Sequence, residues 1–498
     1  MPQRESEPQT VNIASQSPVM VETTTSRVIA AIETHVLFGN KLSLELVAIL
    51  LVYFVQGILG LSQLAVSFFL KDNLGLSPAE MAALLGVVSI PWIIKPAFGF
   101  MSDGLPIFGY RRRPYLILAG LVGAASWVML ATLVHTALGA TISITLGSAS
   151  IALSDVIVDS LVVERARRES QSVAGSLQSL CWGTAAVGGL LTAYFSGSLL
   201  EEFNSQTVFL ITATFPLVVS CVAGLIVEER VAANQGAVVV RQQITLLRQA
   251  IGQKAIWMPA LFIFLWQATP SSDSAFFFFS TNDLGFNAEF LGRLRLVTSG
   301  AAIAGIWLFQ RFFKRVPFRT IFCWTTLISA VLGLTSLLLV THANRALGID
   351  DRWFSLGDSL VLTVMGEIAY MPVLVLAARI CPPGIEATLF ALLMSILNLA
   401  RLLSHEGGAL LTKMLGITDT SFEHLWILVL IANVSTLLPL LALPLLPDDS
   451  AASDGTEPPD EGQASGQAAL PTGLSSPHQS YGAPQMVPVD LHVLGDVD

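Results

Sequence analysis

An all-α polytopic membrane protein with twelve spans in two halves of six is the fold that this sequence predicts, and three observations predict it. First, 53% of the 498 residues are hydrophobic and only 12% are charged. With a mean hydropathy of +0.67, that balance excludes an ordinary globular surface. Second, apolar runs long enough to cross hydrocarbon recur along the chain, six before and six after a polar connector from about Glu228 to Lys254. Third, the lysines and arginines between runs fall on alternate connections, at Arg111 to Arg113, Arg165 to Arg168, Arg230 to Lys254 and Arg311 to Arg319. The positive-inside bias assigns those connections and both termini to the cytoplasm. The expected organisation is a cytoplasmic segment 1–42, a first half 43–227, a connector 228–254, a second half 255–446 and a tail 447–498.

The first 42 residues contain Glu5, Glu7, Glu22 and Glu33 and lack a basic stretch leading into an apolar core, so no cleavable secretory signal is expected. The same acids weigh against a transit peptide, which favours a bacterial cytoplasmic membrane over a plastid envelope. The first span is expected near 45–70 and the second near 80–101. Lys95 sits inside the second, where an ammonium needs a carboxylate partner, a wet cavity or an anionic substrate. Both readings stand open: a substrate contact, or a structural pair with Asp155 or Asp159. Pro96 removes a backbone donor beside it and can bend the helix. Beyond lie Asp103 and the string FGYRRRPY, with Arg111, Arg112 and Arg113. The whole stretch KPAFGFMSDGLPIFGYRRRPYLILAG resembles the signature of the folate–biopterin transporter family of the major facilitator superfamily. That resemblance implies a major facilitator fold and a carrier of folates or related pterins.

The third to sixth spans are expected near 114–136, 139–162, 174–199 and 206–227. In the fourth, IALSDVIVDSLVVERARR places Asp155 and Asp159 four residues apart and therefore on one helical face, with Ser154 beside it. Two carboxylates so close repel, and in low dielectric one tends to keep a proton, a physical basis for proton coupling. Glu164 is read as a gate latch to the arginine cluster, Asp155 as a cavity residue, and Asp159 as either. The DxxxDSLVVE string also resembles the fourth span of that family. Gln178 and Trp182 in the fifth span, with Gln56 and Gln63 in the first, offer amide and aromatic contacts for a flat heterocycle.

The second half begins with a seventh span near 255–280 that echoes the first. SSDSAFFFFSTNDLGF aligns with SQLAVSFFLKDNLGL so that Asp273 superposes on Gln63 and Phe278-Phe279 on Phe68-Phe69. Parallel repeats of this kind are expected to enclose a site near the midplane and to rock for alternating access. The run Phe276 to Phe279 is read chiefly as packing. Spans near 289–310, 318–341 and 355–379 follow. ARICPPGIEATLFALLMSILN then resembles the family's entry into its eleventh span, with Glu386 in the first turn, where a carboxylate complements the exposed N–H groups or, as a gate residue with Asp103 and Arg111 to Arg113, takes part in proton or substrate passage. In that span, near 387–412, Asn398, Arg401 and His405 share one face with Glu406 adjacent. Arg401 is the strongest second cation, able to hold a carboxylate by two parallel hydrogen bonds; an ion pair with Glu367 or Glu406 is the alternative. The twelfth span is expected near 422–446. From Asp448 to the end there are nine acidic residues and no Lys or Arg, a composition expected to stay disordered.

Cys181, Cys221, Cys323 and Cys381 show no paired ligand spacing and are expected as free thiols. No GxxxxGK[ST], HExxH or GxSxG motif occurs, so neither catalysis nor a cofactor is expected. The partners implied are the lipid bilayer, a folate or pterin and protons, with no nucleic acid and a monomeric chain. Competing expectations are a carrier of another organic anion, or a facilitator-fold protein that serves membrane assembly or pigment handling without transport.

Overall fold

The computed structural model describes residues 40–166, 171–230, 251–313, 316–379 and 386–446, with single positions at 33, 37, 241, 244, 245 and 247–249. Helices account for nearly all of it, and among the described residues the only β feature is one bridge between Ile107 and Tyr110. Among the described residues ten helices are long and apolar enough to cross a membrane, and the chain is an integral multi-pass membrane protein.

Helix α1 (Leu44–Asn73) starts on Ser43, whose hydroxyl accepts from Leu46 N–H, the usual solution for the free amides of a first turn. It bends near Leu59 and Gly60 and ends in a π-helical turn, Phe69–Asn73. Helix α2 (Pro78–Gly104) opens with a capping box between Ser77 and Glu80 and is interrupted at Ser89 and at Ile94. Each interruption lies two residues before a proline, Pro91 and Pro96, whose ring removes a donor and breaks the ladder. Helices α3 (Arg113–Thr132), α4 (Ala137–Ala166), α5 (Gln171–Glu202) and α6 (Ser205–Leu225) complete the first six.

The seventh expected span is broken. Helix α7 (Lys254–Gln267) stops before Pro270, and α8 (Asp273–Asn282) starts after it. Pro270 and two serines stand where a continuous span over 255–280 was expected. Helices α9 (Ala288–Phe313), α10 (Phe318–Val340), α11 (Asp351–Arg379), α12 (Glu386–Met414) and α13 (Leu425–Leu445) follow. Among the described residues the ten apolar helices exclude the α7–α8 pair, which is split, and α12, whose described side chains from 391 onward include Arg401, His405, Glu406 and Lys413.

Packing follows the rule for helices in lipid, where close backbone approach replaces a hydrophobic driving force. A Cβ on Gly57 of α1 would strike the carbonyl of Ala185 in α5, and one on Gly188 would lie 2.6 Å from the carbonyl of Phe54. Gly120 and Gly123 of α3 seat α6 at Pro216 and Ser220 in the same way. The largest core cluster joins α1, α3, α4 and α6 through Leu46, Ile49, Leu116, Ile157 and Val219. The outward surface is apolar as well, with Leu118, Leu121, Val187, Ile303 and Val331 exposed.

Two seams join α1–α6 to α7–α13. In one, α5 lies on α9, where a Cβ on Gly292 would stand 2.7 Å from the Gly197 Cα, and Asn287 bonds Glu201. In the other, α2 lies on α12, where a Cβ on Gly86 would stand 2.7 Å from a Glu406 carboxylate oxygen. Phe68 of α1 and Phe277 of α8 stack edge to face, 5.4 Å between centroids. These glycine and aromatic contacts lie toward the end of the molecule opposite Arg111 to Arg113, and α12 also follows α2 as far as Trp92.

Candidate functional site

Helix α4 carries Asp155 and Asp159 one turn apart, and each has a different partner. The Asp155 carboxylate pairs with the Lys95 ammonium of α2, both side chains being 16% exposed. The second break in α2 falls at Ile94, immediately before Lys95, so the bend that Pro96 forces sets the lysine's direction. The ammonium also lies over the Trp92 ring, 5.1 Å from its centroid, a favourable place for a cation. Asp159 instead accepts from the Tyr53 hydroxyl of α1 at 2.5 Å. Asn398 of α12 donates to the Trp92 carbonyl at 3.3 Å. The layer therefore draws on α1, α2, α4 and α12, and so joins α1–α6 to α7–α13.

A second cluster lies at the arginine end. Arg112 is buried and pairs with Asp103 at 2.8 Å and Glu164 at 2.8 Å, and it also donates to Ser102 at 3.1 Å. Burial works against its charge, and the two carboxylates more than offset that, so its pKa rises above the ordinary guanidinium value. Arg111 and Arg113 contribute differently. Their backbone N–H groups, with that of Arg112, donate to the Glu228 carboxylate at 2.5, 3.1 and 2.9 Å. Glu228 thus caps the start of α3, where a negative charge meets free amides and the positive end of the helix dipole. The Arg113 guanidinium returns to the Ile226 carbonyl at 2.5 Å.

The remaining expected site residues are more dispersed. Arg401 is exposed and, among the described residues, has no ion pair within 4 Å, with neither Glu367 nor Glu406. The Glu406 carboxylate rests instead against Gly86. Gln63 and Asp273 are both exposed; Asp273 opens α8, its N–H donating to the Ser271 hydroxyl. Trp182 on α5 is 50% exposed. Gln56 turns into the packing of the first six helices beside Ser150, Ser154 and Pro216, with no partner for its amide nitrogen among the described residues. His405 is partly buried in α12. The side chains of Gln178 and Glu386, and all of Cys381, lie outside the described residues.

Three polar residues escaped the sequence reading. Tyr53 sits in a Leu- and Val-rich span where a tyrosine reads as packing; its position six residues before the bend gives no cue to Asp159. Glu228 was visible as the first acid after an apolar run, the kind of residue that can cap a neighbouring helix. Arg295, inside α9, is a cation at membrane depth and carried the same signal as Lys95.

Comparison with known proteins adds the relationships. A family model described as the BT1 family matches residues 56–462. A protein of Synechocystis sp. named "Folate-biopterin transporter" is 59% identical over 450 residues, 90% of this chain and 91% of that one. "Probable folate-biopterin transporter 2" of Arabidopsis thaliana is 35% identical over 427 residues, 82% and 85% of the two chains. "Folate transporter 2" of Plasmodium falciparum is 31% identical over 403 residues, 81% and 88%. Among solved structures, a D-xylose-proton symporter superposes with a TM-score of 0.61 at 17% identity, covering 81% of this chain and 98% of the other. A nucleoside transporter gives 0.60 at 16%, covering 81% and 99%. Both likenesses concern the fold.

Proposed function

The chain belongs to the BT1 family, and on that premise we propose that it carries folates or related pterins across a membrane by alternating access coupled to protons. The observation that carries the reading is the 59% identity, over 90% of the chain, to a protein named as a folate–biopterin transporter. The polar layer supports it, since ionisable groups at membrane depth are costly unless cargo or ions use them.

The two carboxylates divide the work. Asp155 has its charge matched by Lys95, so it holds the bend of α2 in place. Asp159 meets a neutral hydroxyl and is the group assigned to exchange a proton. Arg401, exposed and unpaired among the described residues, is assigned to the carboxylate end of the cargo. A guanidinium fork matches a carboxylate by two parallel hydrogen bonds. Asp103, Arg112 and Glu164 tie α2 to α4 at the arginine end and are assigned to the gate there, with Arg111 and Arg113 held by Glu228.

The test is uptake of labelled folate by purified protein in liposomes, with and without an inward proton gradient, beside Lys95→Met and Arg401→Met. Gradient-driven uptake that falls in Arg401→Met supports the assignment. Uptake of a simple dicarboxylate but of no pteridine would transfer the reading to another organic anion.

A further inference from the structure

Arg295 is a charge at membrane depth that the mechanism above does not use. It lies seven residues into α9, about 10 Å along the axis from Ala288 at 1.5 Å per residue. It is partly buried, and among the described residues no carboxylate lies within 4 Å of its guanidinium and no hydrogen bond takes up its N–H groups. Arg293, two residues earlier, shows the contrast, being 69% exposed and paired with Glu289 one turn away.

The two differ in their surroundings along the helix. Arg293, Gly300, Ile303 and Trp307 share one side of α9 and are all exposed. Leu291, Arg295, Thr298, Ala302 and Gly305 recur at three- and four-residue spacing and are all buried or partly buried. Gly305 in this stripe seats against Val364 and Glu367 of α11. Glu367 is therefore met ten residues, about 15 Å, further along the axis, beyond the reach of an arginine side chain at 295. Arg295 faces inward without a counter-charge.

Two cations within the spans of α7–α13, Arg295 and Arg401, are thus unpaired among the described residues, whereas Lys95 in α1–α6 is matched by Asp155. A buried cation is tolerated where it is paired or lines a wet path for an anion. Resting on the function proposed above, we infer that Arg295 binds a carboxylate of the cargo and sets a preference for pteridines that bear a glutamate over pterins that do not.

The experiment compares uptake of labelled folate and labelled biopterin by the full chain in liposomes, for the wild type, Arg295→Gln and Arg295→Lys. The inference expects the ratio of folate to biopterin uptake to fall about tenfold in Arg295→Gln, the scale of one lost charge-assisted contact. Arg295→Lys, which keeps the charge and loses the fork, should lose only part of that ratio. Biopterin uptake reports whether each variant has folded, and if Arg295→Gln does not accumulate, the ratio in Arg295→Lys decides alone. Equal loss for both substrates, or no loss for either, overturns the inference and leaves the transport reading standing. Wild-type protein that takes up neither pteridine overturns both.

Discussion

Lys95 and Asp155 form a pair that neither can leave cheaply. Both side chains are 16% exposed, so removing one charge strands the other in low dielectric, at a cost of about 3–5 kcal/mol, whereas removing both together is far milder. Lys95→Met is expected to unfold at clearly lower temperature in detergent, and Lys95→Met with Asp155→Asn to regain most of the loss. If the double variant melts no higher than the single, the pair is not what holds this layer. At Asp159 the partner is a phenol, and Tyr53→Phe is expected to weaken gradient-driven uptake while leaving binding of folate nearly as tight; equal loss of both would remove Asp159 from the proton path. The sequence made the charged half of this layer legible. Lys95, Asp155 and Asp159 stand out because charges are rare in apolar runs, and the four-residue spacing put both acids on one face. It did not show which acid the lysine chooses, because that depends on the bend at Ile94, nor did it reveal Tyr53, whose ring suits an apolar span equally well without a polar task.

Among elements, α3 shows most clearly how a helix end is fixed from far away. Pro114 in its first turn marks the start from sequence alone, but the carboxylate that satisfies its amides comes from Glu228, beyond the end of α6. Glu228→Ala leaves three partly buried N–H groups without an acceptor and is expected to destabilise the protein by about 2 kcal/mol. The check is thermal unfolding against Glu229→Ala, a neighbouring exposed acid; equal effects would remove the cap from the account. The broken seventh span was legible too, since Pro270 followed by Ser271, Ser272 and Asp273 is a helix stop and start in one. Reading hydropathy over a long window hid it, because the apolar residues on either side outweigh the few polar or small ones between them. Its geometry depends on α12, where the Ser271 N–H donates to the Ser404 carbonyl at 3.0 Å and Ser404 donates to the Thr269 carbonyl.

At the scale of the whole molecule, two glycine-lined seams hold the two sets of helices together at one end. Gly197 and Gly292 approach so closely that a Cβ at either position meets the backbone of the facing helix. Gly292→Ala is expected to force α5 and α9 apart and to lower the thermal unfolding temperature in detergent, whereas Gly300→Ala, which has open space beside it, is not; equal effects would show that close approach is not what this seam needs. The overall architecture was legible from composition, run length and the placement of arginines, because lipid admits few solutions for a chain of this kind. The seams were not, since a glycine in an apolar run signals close approach without naming the helix it approaches. The α5–α9 seam also has an electrical consequence. Its buried contact is made of glycine and backbone, and its charged member, Glu201, bonded to Asn287, is exposed at the end of α5, so parting the seam moves no charge through the interior of the bilayer. A membrane voltage therefore has little to pull on in the buried part of that seam, and any current that accompanies turnover belongs to the carboxylates of α4, the cations assigned to the cargo and the cargo itself.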